Sequence, residues 1–138
     1  MIHTDGDCAE WTFPAEPDAV RTARHVVRAT LRAWGLDTVS DVTVLLVSEL
    51  VTNSLRYASG PIGVRLARLD AAGDAPSVRT ALLVEVSDPL PDPPLERKAA
   101  ADDEGGRGLH LVAVSAQRWG TRHDESGKTV WFELALPG

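Results

Sequence analysis

Glu49 and Asn53 stand four residues apart in the run SELVTNSLRYA, a spacing that puts a carboxylate and an amide on one face of a helix. The residues around them are aliphatic. Burying two polar groups there costs several kcal/mol unless partners satisfy them, and a cation or an ordered ligand network would be such a partner. Further along, DDEGGRGLHLV sets Gly105, Gly106 and Gly108 where a loop passes into a helix, with Arg107 and Leu109 among them. Amides at a helix N-terminus attract phosphate, and bare glycine backbone lets a ligand come close. Between these two runs, VEVSDPL ends an apolar strand on Asp88, a carboxylate able to accept a hydrogen bond from an exocyclic amine such as that of adenine. Taken singly, each signal also has an ordinary structural reading. Glu49 and Asn53 can face solvent, glycines often precede helices, and a lone Asp is more often a turn residue.

The elements that must position these groups follow from periodicity and breakers. Cys8 to Phe13 reads as a short strand, closed by Pro14 and Pro17, after which Asp18 can cap a helix. Val20, Ala23, Val27, Leu31 and Trp34 recur at helical spacing and Gly35 supplies the stop. Ser40 or Asp41 can cap a second, more buried helix running to about Tyr57, with Val42, Leu45, Leu46, Leu50 and Val51 on its apolar surface. Pro61 and Gly63 open a strand to about Leu69, and Arg79 to Ser87 pairs with it as a hairpin. The stretch Asp88 to Gly105 is rich in proline without apolar periodicity, so it reads as a long loop and a candidate lid. A helix from about Arg107 to Arg118 and a final hairpin turning at Ser126 and Gly127 complete the chain.

This order of elements predicts an α+β fold, a two-layer sandwich with helices on one face of a mixed, mostly antiparallel sheet. Paired hairpins and the absence of repeated βαβ units exclude a doubly wound nucleotide fold. At 138 residues one domain is expected over 1–138, with residues 1–7 as a loose terminus.

The formal charge of −6 argues against direct nucleic-acid binding, which needs a basic stripe. No apolar run approaches the roughly 20 residues of a membrane helix. A single cysteine and the lack of a signal-peptide pattern make the cytoplasm the expected compartment, and frequent arginine with only Lys98 and Lys128 suits a GC-rich bacterial genome. His3, Asp5, Asp7 and Cys8 match no metal-ligand spacing, and His25, His110 and His123 lack metal or catalytic partners, so all are read as structural or exposed.

The three chemical signals occur together in a fixed order, and in that combination the chain resembles the GHKL (histidine-kinase-like) ATPase family, in its anti-sigma-factor serine/threonine kinase branch. ELVTN at Glu49 to Asn53 resembles the N-box, VEVSD ending at Asp88 the start of the first glycine box, GRGLHLV the second, and GKTVWFEL the closing strand. The resemblance covers nearly the whole chain and implies a Bergerat-type ATP site. Asn53 would coordinate Mg²⁺ on the phosphates, Glu49 would activate or orient the attacking hydroxyl, and Asp88 would read adenine. Gly106, Arg107, Gly108 and Leu109 would lie along the bound nucleotide, and Thr129 would assist at the base through its hydroxyl.

As partners the resemblance implies a STAS-type anti-sigma-factor antagonist, a sigma factor or both, in a homodimer. One departure stands out: the family continues after its aspartate as x-G-x-G, whereas this chain reads Pro89-Leu90-Pro91-Asp92, so both lid glycines are missing and the backbone is stiffer. Two functions are therefore expected in alternative: a kinase phosphorylating an antagonist, or a GHKL-fold binding module with weak or no turnover that acts by sequestering its partner.

Overall fold

The structure is a computed structural model that describes residues 3–4, 8–57, 60–70, 80–89, 104–125 and 127–136. Strand β1 (His3–Thr4) pairs antiparallel with β2 (Cys8–Phe13), so part of the stretch expected as a loose terminus is a sheet edge. Helix α1 (Ala19–Ala33) follows Pro14 and Pro17. Asp18 precedes it, yet its carboxylate makes no capping bond; instead its carbonyl accepts both the amide and the hydroxyl of Thr22. Ala19, Ala23, Val27 and Leu31 form the buried stripe of α1, with Val20 and Trp34 only partly buried at its margins.

Gly35 ends the helix at φ +74°, a left-handed conformation that costs other residues steric energy. Its amide bonds to Arg32 and the next amide, of Leu36, reaches back to Leu31, the two bonds of a Schellman cap. A short 3₁₀ turn over Asp37–Val39, unforeseen in the sequence, then leads into α2 (Ser40–Tyr57).

Expected to be the more buried helix, α2 is: Val44, Leu46, Val47, Leu50 and Val51 are all buried. Leu45, assigned to its apolar surface by periodicity, is 47% exposed. Strands β3 (Ile62–Asp70) and β4 (Thr80–Asp88) form the expected hairpin. Helix α3 (Glu104–Ser115) starts and ends about three residues earlier than predicted, so Gly105, Gly106 and Gly108 lie within it. Strands β5 (Arg118–Asp124) and β6 (Gly127–Ala135) form the final hairpin.

The sheet order is β1-β2-β3-β4-β6-β5, and every described pairing is antiparallel. Alternation along the strands sends Trp11, Phe13, Val64, Leu66, Val84, Val86, Val130 and Phe132 into one core with the helices. That core is where the fold gets its hydrophobic stabilisation. The intervening residues form the other face, where no described helix packs. Register aligns Thr12, Gly63, Ser87, Thr129 and Arg122 in one row across it. On the same face Glu85 accepts hydrogen bonds from Arg65 (2.9 Å) and Arg122 (2.6 Å), which straddle it from β3 and β5.

Burial pushes the Glu85 carboxyl upward, but the hydrogen bonds and charges of Arg122 and Arg65 outweigh it and hold the group below its ordinary range. A depressed carboxyl stabilises the fold above its unfolded pKa, and that contribution disappears as pH falls through the lower folded value. Glu85→Gln is therefore expected to lower stability near neutral pH and to flatten the acid limb of the stability curve below about pH 4. Urea unfolding midpoints between pH 3 and 7 check it.

Candidate functional site

Helix α2 and the adjoining ends of β4 and β6 bring the polar groups together. Asn53 lies near the C-terminal end of α2 among the buried aliphatics and is 8% exposed. Its Oδ1 is buried without a hydrogen-bond partner. Glu49, one turn earlier, is half-buried, so both members of the sequence pair occur on this helix as the four-residue spacing demands.

The next residue, Ser54, carries the link between layers. Its hydroxyl donates to Asp88 Oδ2 at 2.8 Å, joining α2 to the last residue of β4. Asp88 itself is 5% exposed, on the helix side of the sheet. Lys128, its register partner on β6, brings its Nζ to 4.0 Å from the same Oδ2. The other oxygen, Oδ1, is buried without a partner. A buried acceptor left unpaired costs about 1–3 kcal/mol, so Asn53 Oδ1 and Asp88 Oδ1 are two places where a ligand donor or a cation would recover energy.

Backbone geometry at the strand ends is exacting. Gly127 opens β6 at φ +143°, and a Cβ there would collide with the carbonyl oxygen of Asp88 and crowd Pro89. Its amide is held by Asp124 Oδ1 at 3.1 Å across the hairpin turn. Gly60 approaches the Pro89 ring from the opposite side, so any side chain at 60 would meet it. Thr12, Gly63, Ser87 and Thr129, the row on the face away from the helices, line a pocket of about 260 Å³ at this end of the sheet together with Asp88, Pro89, Gly127 and Lys128, whereas the Asp88 carboxyl itself turns to the helix side. That is somewhat below the volume of a complete small-molecule site.

Three expected site residues differ in placement from one another. Asp88 and Asn53 are buried on the helix side. Thr129 projects from the opposite face, because strand alternation pairs it with Ser87, and its hydroxyl lies 2.9 Å from Ser87 Oγ instead of beside the Asp88 carboxylate. Gly106, Arg107, Gly108 and Leu109 lie in the first turns of α3, which packs on α2. The side chains of Arg107 and Leu109, and the lid-like loop over 90–103, lie outside the described residues, as do the side chain of His3 and both Asp5 and Asp7.

Two residues of the site escaped sequence reasoning. Ser54 directly follows Asn53 but carried no spacing signal, since its partner is 34 residues away. Lys128 had a signal that went unused: it is one of only two lysines in the chain, set in the strand paired with Asp88.

Residues 13–134 match the family described as histidine kinase-like ATPase domain. No curated protein matches the chain. Among solved structures, the RsbU and RsbW domains of Rv1364c from Mycobacterium tuberculosis are similar in fold, with a TM-score of 0.67 and 21% identity over 94% of this chain. The present chain spans 32% of that longer one. No helix among the described residues is long and apolar enough to cross a membrane.

Ser54→Ala is expected to cost about 1–3 kcal/mol, because it strips the buried Asp88 carboxyl of the Ser54 hydroxyl donor. The double variant Ser54→Ala with Asp88→Ala should be non-additive in urea unfolding. Gly127→Ala is expected to lose about 1–3 kcal/mol from backbone conformation alone, more once the collision with Asp88 is included, read from the same midpoints.

Proposed function

The chain belongs to the histidine kinase-like ATPase domain family, and on that premise we propose that it binds ATP with Mg²⁺ and acts as an anti-sigma-factor-type serine/threonine kinase. The observation that carries the reading is the pair of buried, unpartnered acceptors, Asn53 Oδ1 and Asp88 Oδ1, in the family-matched segment. A fold cannot leave two such groups dry without loss, whereas a nucleotide and its cation would use both. The N-box, glycine-box and closing-strand resemblances, and the fold shared with a structure containing an RsbW domain, support the anti-sigma branch.

In this reading Asn53 offers an amide oxygen suited to a hard cation, which when bound would neutralise phosphate charge during transfer. Glu49 orients or deprotonates the attacking hydroxyl. Asp88, fixed by Ser54, accepts the exocyclic amine of adenine through Oδ1. The first turn of α3, with Gly105 and Gly106, presents amides without intrahelical partners toward phosphate. Phosphoryl transfer relies on positioning and charge neutralisation, so these few groups suffice. The substrate would be a Ser or Thr of an anti-sigma-factor antagonist. A single domain in the bacterial cytoplasm, working as a homodimer with a sigma factor as second partner, completes the proposal.

A second reading is favoured by Pro89, lodged between Gly60 and Gly127 where the family carries flexible lid backbone. A stiff exit from β4 suits a module that sequesters its partner with slow turnover or none.

Incubation with Mg-ATP and a STAS-type antagonist is expected to give phosphoantagonist, with Asn53→Ala abolishing it and Glu49→Ala slowing it by about 10²–10⁴. Full activity in Asn53→Ala would sink the site assignment. Partner capture without phosphotransfer, unchanged by Glu49→Ala, would select the second reading.

A further inference from the structure

Within the ATP reading, on which this inference rests, the base site lacks one group among the described residues. A purine is read along an edge, and adenine presents there an exocyclic N–H donor beside a ring-nitrogen acceptor, N1. Asp88 Oδ1 supplies an acceptor for the amine but nothing for N1. The hydroxyl expected to help, that of Thr129, is on the other face of the sheet and paired with Ser87. The side chain standing beside Asp88 is Lys128.

Lys128 is 9% exposed, an unusual degree of burial for a lysine, and its register opposite Asp88 fixes it on the same face. Its Nζ is 4.0 Å from Asp88 Oδ2. That is close enough for charge attraction but too long for an N–H···O hydrogen bond, and Oδ2 already takes the Ser54 hydroxyl. An ammonium carries three donors and no acceptor, whereas a carboxylate is acceptor only. Side by side, they make a donor–acceptor pair complementary to the N1 and amine edge of adenine.

We infer that Lys128 is a base-reading residue that donates a hydrogen bond to N1 of adenine while Asp88 Oδ1 accepts from the exocyclic amine. The pair selects the base by two adjacent contacts of opposite polarity. A hydroxyl at this place could turn to donate or accept; lysine can only donate, so a base carrying N–H at position 1 meets repulsion. Because the ammonium also balances the buried carboxylate, the reading group and the counter-charge are one residue.

The test uses 1-deaza-ATP, in which N1 is replaced by C–H, with calorimetric titration in the absence of Mg²⁺ to keep binding apart from turnover. The parent protein is expected to bind 1-deaza-ATP about tenfold more weakly than ATP. Lys128→Met, which keeps the apolar stem, is expected to bind ATP about tenfold more weakly and to lose the distinction between the two nucleotides. Lys128→Gln, a neutral donor, should restore part of the preference. The comparison in the parent protein needs no folded variant, so a Lys128→Met chain that fails to fold leaves a decisive measurement. Equal affinity of the parent for ATP and 1-deaza-ATP overturns the inference, as does an undiminished preference in Lys128→Met, while the ATP reading stands in both cases. No binding of either nucleotide by the parent overturns the ATP reading and this inference together.

Discussion

A carboxyl group buried at the end of an apolar strand is expensive, and much of this molecule's local geometry is organised to hold one. Asp88 sits where β4 leaves the core, and three residues from two elements close on it: Ser54 from α2, and Lys128 and the glycine backbone at 127 from β6. The Ser54 bond matters most because it crosses between layers. Helix α2 carries Glu49 and Asn53 on the same rigid cylinder, so fixing Ser54 to the sheet end also sets the distance of those two groups from Asp88. A site divided between a helix and a strand end needs such a tie, since helix–sheet packing by aliphatics alone tolerates sliding of the order of a side chain.

The tie leaves one oxygen of Asp88 and the amide oxygen of Asn53 unpaired. Native folds retain few such atoms, and those retained tend to mark places where function takes precedence over stability. Arg68 Nε is the other such atom among the described residues, on a guanidinium whose Nη2 is bonded, and several further charged groups are paired in ordinary ways. Glu85 is straddled by two arginines, Arg28 reaches Asp41 at 3.0 Å, and Arg68 donates to the carbonyl of Trp34 at 2.7 Å while lying over its ring. Of these only the Arg28–Asp41 pair is largely exposed and contributes little stability, and the Asp88 cluster differs from the others by the depth of its burial.

Legibility in the sequence followed the range of the interaction. Cys8–Phe13, the stop at Gly35, the span of α2 and both hairpins were readable because strand alternation, helical spacing and glycine stops are local. The 3₁₀ turn at Asp37–Val39 was not, since it has no period and is set by how α1 and α2 must pack. Of the site, Glu49, Asn53 and Asp88 were visible as polar residues in apolar runs. Ser54 and Lys128 were not, because their meaning depends on pairing across 34 and 40 positions. Thr129 failed through parity: one residue along a strand changes the face, and in GKTVWFEL the apolar alternation of Val130, Phe132 and Leu134 against Glu133 carries Lys128, not Thr129, to the inward face.

The two edges of the sheet have a consequence for the behaviour of the protein at high concentration. Among the described strands, one edge is β1, only two residues long, and the other is β5, which exposes Trp119 together with the charged or polar Arg118, Arg122, His123 and Asp124 on its two faces. A short edge offers too few main-chain groups to template a neighbour, and charged side chains along an edge disfavour the addition of a strand. Open sheets usually grow where an apolar, regular edge invites another strand; this one discourages such growth at both ends. Association through other surfaces is then free to be specific, without competition from the indiscriminate stacking of strands that leads to fibrils.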